Sequence, residues 1–454
     1  MSVLAYPRPM EVYSVSAEVV AAVFGIAITV VAIIVQLAAT RFNHQITLMF
    51  IRDPINLAMQ GYFLLTTVVC IWVSVLPEVS HWVMYAVLVM VTLALLLLLP
   101  YFAYVFAFIS PLNLIQRIGK AARQAVTKGQ PKSALGAIDQ LQDITRHAID
   151  QGDRVIGLAC VHTFAELFRF YRGANPHQHE RWNDAQTLAQ DADFSSLEQP
   201  AFEKLLASKL WFEVKILHQF LNIIWLAVPG MRDVAANVGI AVQQLAVSNL
   251  DNREVLDETL NAMNSFMRAA LNARDARTSY HLLSRYRNII EALLEAGDSD
   301  TASRASNYFV EYGQLAFQLQ QPFILHVAAY DMAEIIKRAH ADLPQILPAL
   351  MEQFLSLDRS IHRESDREAL LGIRRVQLQI AVFFIQVDEP TYVQQIVKDL
   401  SSESAADLTR LAEQFAKEER NLFWEFTPRG VNFGYLEPEL RRHLPQLMDM
   451  ITAD

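Results

Sequence analysis

The stretch Val19–Thr40, which reads VVAAVFGIAITVVAIIVQLAAT, decides the class of this protein. Two further apolar stretches follow within the first quarter of the chain, Ile55–Leu76 and Trp82–Ile109. Each reaches or exceeds the ~20 residues that an α-helix needs to cross a bilayer. The sequence therefore predicts three transmembrane helices, at 19–40, 55–76 and 82–109, in a membrane domain that occupies residues 1–111.

The third stretch is long for one crossing. At ~1.5 Å per residue it would cover roughly 42 Å, against a hydrocarbon core of about 30 Å. Pro100 removes a backbone donor, so we expect a break there, with Trp82–Leu99 crossing the membrane and Tyr101–Ile109 forming an aromatic collar.

The distribution of Lys and Arg predicts the orientation. Arg41 and Arg52 flank the first connection, whereas the second connection, 77–81, contains neither residue type. Basic residues then follow the third stretch. Because such residues stay on the cytoplasmic side, we expect an outside N-terminus and a cytoplasmic domain after residue 111. We expect four of these residues to contact anionic lipid headgroups: Arg117, Lys120, Arg123 and Lys128.

The cytoplasmic part shows helical periodicity and no alternating strand pattern. Leu282, Tyr286, Ile289 and Leu293 recur at three- and four-residue spacing, and Gly297 with Asp298 or Asp300 ends that helix and caps the next. Short turns between successive helices favour antiparallel hairpins, so the fold is predicted to be all-α, with a tetratricopeptide-like hairpin stack. The predicted divisions are a helical subdomain at 112–172, a polar loop region at 173–200 and a helical-repeat-like domain at 201–454.

The C-terminal segment 421–438 interrupts the helical rhythm with aromatic residues placed around Pro428, Gly430 and Gly434. Such a segment is predicted to fold as a plug onto the last helices. The alternative is a surface that binds a partner.

Residues able to carry chemistry are sparse. No glycine-rich phosphate loop or serine elbow is found, and the compact His177-Gln178-His179-Glu180 cluster is more typical of a solvated loop than of a metal site. Cys70 and Cys160 cannot build a disulfide framework. After residue 111 there are 35 Lys and Arg against 44 Asp and Glu, a poor balance for binding nucleic acid. We therefore expect no catalytic residue, cofactor, metal or nucleic acid partner.

Two polar stripes run along the first two predicted spans. Polar side chains are costly in lipid and normally turn toward other helices or an aqueous path. One interpretation is that the first two spans pack together and hydrogen-bond across their interface, with the third facing lipid. The other is that several copies arrange the stripes around a pore. The residues are Gly25, Thr29, Gln36 and Thr40 in the first span, and Asn56, Gln60, Thr67 and Ser74 in the second.

The connection between these spans resembles a known family. Gln36-Leu37-Ala38 with Phe42, followed by Arg52-Asp53, is similar to the L-Q-L-A…F and F-L-R-D motifs of the bacterial membrane proteins grouped as domain of unknown function 2254. Pro131 and Ala134 echo a second motif of that family. The resemblance covers roughly residues 20–145 and implies a protein of the bacterial inner membrane. It implies no established activity.

Two functional hypotheses follow. The first is a non-enzymatic, homo-oligomeric membrane protein whose cytoplasmic helices bind a protein partner. The second is a homo-oligomeric channel or pore lined by the first two spans. The spans carry no charged residue at depth, which disfavours an ion-coupled transporter.

Overall fold

The computed structural model describes residues 9–41, 50–76, 79–174, 180–359, 361, 366–424, 427 and 429–453. Within these ranges the chain is helical without a β-strand, apart from one isolated antiparallel bridge between Leu422 and Val431. The predicted all-α fold is confirmed. Contacts divide the chain into two units, Met1–Thr163 with Ala174–Trp182, and Phe164–Gly173 with Asn183–Asp454.

The first unit begins with three long helices, α1 (Pro9–Arg41), α2 (Pro54–Val75) and α3 (His81–Ile109). Each contains a segment long and apolar enough to cross a membrane, at Glu18–Gln36, Pro54–Val75 and His81–Ile109. The prediction of a break at Pro100 is wrong, because α3 continues through this residue to Ile109. Transmembrane helices tolerate proline where neighbouring groups satisfy the freed backbone carbonyl.

The three helices pack against one another through apolar side chains. α1 buries Val20, Ala27, Val31 and Val35, a spacing of seven, four and four residues that defines one helix face. The rings of Phe24 on α1 and Phe63 on α2 stack with centroids 5.2 Å apart. α3 contacts both other helices, although its span has the smallest buried share, 11% against 22% for each of the others.

Three amphipathic helices complete this part of the chain: α4 (Pro111–Thr127), α5 (Pro131–Asp150) and α6 (Arg154–Ala174). Proline opens α4 and α5 at a position where its missing N–H has no intrahelical partner. Pro131 and Ala134, the second family motif, are both buried. α4 packs on α5 through a face that includes Leu114, Ile118 and Ala122.

The second unit is a succession of helices joined by short turns. A 3₁₀ turn at Glu180–Asn183 precedes them. The helices are α7 (Ala185–Ala189), α8 (Gln199–Ser208), α9 (Trp211–Ala227), α10 (Arg232–Val247), α11 (Arg253–Asn272), α12 (Ala276–Glu295), α13 (Ser299–Gln318), α14 (Pro322–Asp342), α15 (Leu347–Leu355), α16 (Arg367–Gln386), α17 (Pro390–Leu400), α18 (Ala405–Lys417), α19 (Pro438–Arg441) and α20 (Leu444–Ala453).

The central helices form two layers. α9 contacts α11, α11 contacts α13, and α13 contacts α15, while α10, α12, α14 and α16 contact one another in the same stepwise way. Successive helices of the second set begin about 45 residues apart, a period closer to that of HEAT and armadillo repeats than to the 34 residues of tetratricopeptide repeats. The predicted stack of helical hairpins is therefore present, with longer pairs than a tetratricopeptide repeat has.

Side-chain caps mark the predicted turns. Gly297 takes a φ of +77° after α12, a left-handed conformation that favours glycine. Asp298 then accepts a hydrogen bond from the backbone N–H of Thr301 at 3.1 Å and caps α13. Of the two predicted caps, Asp298 and Asp300, the structure uses the first.

The predicted polar loop region at 173–200 contains short helices and is anchored by a buried ion cluster. The Lys215 side chain is only 1% exposed, and its ammonium nitrogen lies 2.8 Å from Asp191 Oδ1 and 2.6 Å from Asp193 Oδ2. A buried ammonium needs such paired acids because leaving water is costly. The segment after α7 therefore folds onto α9.

Residues 421–424, 427 and 429–436 lie across the layer formed by α12, α14 and α16, and we call them the C-terminal strap. Its Phe433 ring packs edge-on against Tyr330 at 4.7 Å, and Gln379 Nε2 donates to the Phe433 carbonyl at 3.1 Å. This part is the plug that the sequence predicts. Leu422 and Trp424 instead stay 66% and 72% exposed, and Phe426 lies outside the described residues.

Candidate functional site at the start of α2

Asp53 is the centre of a polar cluster in the first unit. It caps α2, because its Oδ2 accepts hydrogen bonds from the backbone N–H groups of Ile55 and Asn56, both at 3.1 Å. The Tyr104 hydroxyl of α3 donates to the same oxygen at 2.6 Å. Three donors converge on one carboxylate oxygen, and the positive end of the α2 dipole favours its negative charge.

Arg117 connects α4 to this cluster. Its Nη1 lies 3.8 Å from Asp53 Oδ1, and its guanidinium carbon lies 4.0 Å from the centre of the Phe108 ring. The side chain is 37% exposed, so the ion pair is weak by itself. The ring contact adds a cation–π interaction that fixes the direction of the side chain.

Asn56 forms a second, deeper layer of the cluster and is 1% exposed. Its Nδ2 donates to the Phe50 carbonyl at 3.0 Å. Its Oδ1 accepts from the Tyr101 hydroxyl at 2.7 Å and from Gln60 Nε2 at 3.0 Å. Every polar atom of this buried amide side chain is thus engaged, as burial requires.

The spacing of these residues explains the pairing. Asp53 and Asn56 are three residues apart at the start of α2, and Tyr101 and Tyr104 are three apart on α3, so each pair lies on one helix face. In the sequence the two tyrosines belong to the predicted aromatic collar, and their pairing with Asp53 and Asn56 was not predicted. The sequence does contain one indication of this pairing. Tyr101 and Tyr104 lie among phenylalanines and are three residues apart, which is also the spacing of Asp53 and Asn56.

The cluster joins the start of α2, the end of α3 and the first turns of α4 through one carboxylate and one amide. A displacement of α4 changes the distance between Arg117 and Asp53, and a displacement of α3 breaks the hydrogen bonds of Tyr101 and Tyr104.

The predicted polar stripes occupy different environments. On α1, Gly25, Thr29 and Gln36 are exposed, and the side chain of Thr40 lies outside the described residues. On α2, Asn56 is buried and Gln60, Thr67 and Ser74 are half-buried.

The described stripe residues form hydrogen bonds mainly within their own helix and to the third span. Thr29 donates to the Gly25 carbonyl at 2.8 Å and Thr67 to the Phe63 carbonyl at 3.0 Å, each within its own helix. Between helices, the second span hydrogen-bonds to the third, through Tyr101, Tyr104 and a 3.0 Å bond from the Tyr62 hydroxyl to the Met90 carbonyl. Among the described side chains, α1 and α2 contact each other through apolar packing such as the Phe24–Phe63 stack.

The exposed stripe of α1 lies opposite its buried face. At ~100° per residue, positions 25, 29 and 36 fall within about 40° of one another, with their centre about 180° away from Ala27 and about 140° away from Val31. An added Cβ at Gly25 would meet no atom within 4 Å. Within one protomer, therefore, this stripe points away from α2 and α3.

The residues predicted to contact lipid headgroups lie on or next to α4. Positions 117, 120 and 128 fall within about 80° of one another on a helical projection, and position 123 lies about 60° beyond position 120. Lys120 and Lys128 are exposed and Arg123 is half-buried. Three of the four predicted residues therefore share one face.

The remaining predicted chemistry gives no site among the described residues. No group of three or more metal-ligating side chains is found there, and His177 and His179 lie outside the described ranges. Cys160 is fully buried on α6, and burial raises the pKa of its thiol to about 12. Such a thiol stays protonated near neutral pH and is a poor nucleophile.

The three long apolar helices are those of a membrane protein, and part of the chain matches a family model. Residues 9–194 match a family model described as "Predicted membrane protein (DUF2254)". The matched segment contains the three membrane helices and the whole Asp53 cluster. The resemblance noted in the sequence is confirmed for this segment, which is less than half of the chain.

Comparison with other proteins adds little. No curated protein matches the chain. Among solved structures, one match is described as "Circular tandem repeat protein with novel repeat topology and enhanced subunit contact surfaces". It is 13% identical, and the TM-score is 0.24. The alignment covers 76% of this chain and 95% of the chain in that structure. A TM-score of this size does not establish a shared fold, so the fold assignment rests on the helix contacts.

Proposed function

We propose that the protein is a non-enzymatic membrane anchor that assembles with copies of itself and presents its helical array to a protein partner. The observation that carries this proposal is the position of Gly25, Thr29 and Gln36 on the exposed face of α1. Small and polar side chains facing lipid favour association, because they let helix backbones approach closely and hydrogen-bond. A second copy would cover this face.

The helical array supports the interaction role. Arrays of stacked helix pairs present extended surfaces, which such proteins use to bind partners. Here the C-terminal strap, α14 and α16 enclose a cleft of about 490 Å³ lined by Tyr330, Glu334, Lys337 and Phe383 among others. The cleft combines aromatic rings with charged side chains, a composition suited to a peptide.

The proposal also includes the placement of the chain in a bacterial inner membrane, with an outside N-terminus and a cytoplasmic array. The distribution of Lys and Arg supports it. The face of α4 that carries Arg117 and Lys120, continued by Lys128, would contact anionic headgroups, at ~1 kcal/mol per basic residue.

Mass photometry of the protein in nanodiscs tests the assembly. Gly25→Leu should reduce the mass toward that of one 51.4 kDa chain, because a bulky side chain separates the helices. Gly61→Leu is the matched control, since Gly61 on α2 is also exposed and an added Cβ there also meets no atom within 4 Å. A monomeric wild type, or equal effects of the two variants, would contradict the proposal.

Thiol labelling in intact cells tests the orientation. With Cys70 and Cys160 replaced, a cysteine at Ser80 should react with an impermeant reagent and one at Ser133 should not. Both serines are exposed in the structure, so their labelling depends on the side of the membrane on which each one lies. Labelling at Ser133 alone would reverse the proposed topology.

The pore is the second candidate, and the exposed Gln36 is the feature that favours it. Gln60, its predicted partner in the lining, instead donates to Asn56 within the Asp53 cluster. This difference favours the interaction protein. Planar bilayer recordings distinguish the pore from the interaction protein. A current that Gln36→Leu abolishes would establish a pore, whereas the absence of current from folded protein would exclude one.

A further inference from the structure

Among the described residues, the Arg285 guanidinium on the α10–α12–α14–α16 layer has an amide partner and no carboxylate partner. Arg285 on α12 donates from Nη1 to the Gln243 side-chain oxygen at 3.2 Å, and its Nε is buried without a hydrogen-bond partner among the described residues. Other arginines on α12 and α13 have carboxylate partners. Arg287 donates to Asp331 at 2.9 Å, and Arg304 donates to Asp257.

Other cationic or titratable groups surround Arg285. Arg277, His281 and Arg285 recur every four residues on α12, and Arg429 reaches the same region from the C-terminal strap. Burial lowers the pKa of the His281 imidazole, and the charges of Arg285, Arg277 and Arg429 lower it further. Burial also lowers the pKa of the Arg285 guanidinium, with a smaller contribution from Arg429. These groups therefore repel one another's charge.

Two acidic groups in this neighbourhood are already engaged, and one of them is Glu291, whose Oε1 lies 3.1 Å from Arg287 Nε. Asp331 is fully buried and accepts hydrogen bonds from both Arg287 and Arg429. Asp331 thus neutralises charge on Arg287 and Arg429, whereas Arg285 contacts the neutral side-chain amide of Gln243. The result is a local excess of positive charge in a domain where acidic residues outnumber basic ones.

We propose that Arg285, with Arg277, His281 and Arg429 around it, binds a side-chain carboxylate from an acidic segment of a protein partner. The inference rests on the proposed function and names the chemistry of the partner. A carboxylate matches the planar fork of a guanidinium and can accept two parallel hydrogen bonds. Asn288 Nδ2, which lies 3.5 Å from Gln243 Oε1, adds an amide that can bind peptide backbone.

A carboxylate suits this site better than a polyphosphate chain does. Nucleic acid would need a long row of basic residues, and the net charge of −10 opposes it. An acidic peptide needs positive charge on the protein only where the carboxylates of the peptide lie. Its other contacts can be made between the peptide backbone and amide groups of the protein.

Fluorescence anisotropy on the full-length protein in nanodiscs tests the proposal, with a fluorescein-labelled peptide of six glutamates as the probe and one of six glutamines as its neutral counterpart. We expect the glutamate peptide to bind and Arg285→Gln to weaken that binding at least tenfold. Arg285→Lys should give an intermediate loss, because it keeps the charge but not the fork. Arg253→Gln, an exposed arginine at the start of α11 in the other layer, is the matched control.

Several outcomes would overturn the inference: no binding of the glutamate peptide, equal binding of the glutamine peptide, or equal losses for Arg285→Gln and Arg253→Gln. Thermal melting establishes that each variant is folded, and Arg285→Lys supplies the test if Arg285→Gln fails to fold. The mass in nanodiscs is measured on the same samples. An oligomer that does not bind the peptide would remove this site and leave the assembly, whereas a monomer would remove the assembly.

Discussion

Replacing Arg429 by Met should release the C-terminal strap from the helical array. The Arg429 side chain is 6% exposed, and both of its terminal nitrogens donate to the carboxylate of the fully buried Asp331, one at 2.9 Å. Truncating one partner of a buried ion pair costs about 3–5 kcal/mol when the other charge is left alone. Here Arg287 still donates to Asp331 at 2.9 Å, so we expect a smaller cost, about 2–3 kcal/mol.

This loss has a measurable consequence in amide hydrogen exchange. The Phe423 N–H donates to the Gly430 carbonyl at 3.0 Å and the Tyr435 N–H to the Asn432 carbonyl at 3.1 Å, so both report on the closed strap. If the strap opens as a unit, a loss of about 2–3 kcal/mol accelerates their exchange roughly 30- to 150-fold.

Matched variants separate the ion pair from other effects. Arg420→Gln, at an exposed position near the start of the strap, should leave exchange unchanged. The double variant Arg429→Met with Asp331→Asn should lose less than the sum of the single losses, because it leaves no buried carboxylate short of a partner. Unaltered exchange in Arg429→Met would refute the reasoning that this pair holds the strap.

Three further predictions concern the two units separately. Tyr104→Phe should lower the thermal stability of the protein in detergent more than Tyr85→Phe does. Tyr104→Phe removes a hydrogen bond to the Asp53 carboxylate, whereas Tyr85→Phe changes a side chain that is 57% exposed. Burial raises the pKa of Glu213 to about 7, so the folded state binds an extra proton between about pH 4.5 and 7, and the stability of the protein falls as pH rises through that window. In melting experiments, Glu213→Gln should flatten this pH dependence. An identical pH profile for the variant and the wild type would contradict the prediction. Cys160 should resist alkylation at pH 8 until the protein unfolds, and rapid labelling of folded protein would show that its thiol is not buried.

Local signals in the sequence were sufficient for the helices. The three spans follow from apolar length, and the turn at Gly297 and Asp298 follows from capping chemistry, since both depend on residues close together in the chain. The break expected at Pro100 was wrong because the packing of neighbouring helices, which sequence does not show, decides whether a proline interrupts a transmembrane helix.

Contacts between distant residues could not be predicted in the same way. The tyrosines that bind Asp53 and Asn56 are separated from them by 51 and 45 positions, and a single sequence gives no register between two helices. Likewise, Arg429 pairs with Asp331 across 98 positions. The aromatic composition of the strap predicted that it would fold onto helices, but not which charge would hold it.

Cysteine cross-linking in native membranes tests the central claim, self-association through the exposed face of α1, most directly. In a protein with Cys70 and Cys160 replaced, a cysteine at Thr29 should form a disulfide between two copies and double the 51.4 kDa mass on a non-reducing gel. A cysteine at Leu96, which is 63% exposed on α3, is the control and should remain monomeric. Cross-linking at Leu96 but not at Thr29, or at neither position, would contradict the account.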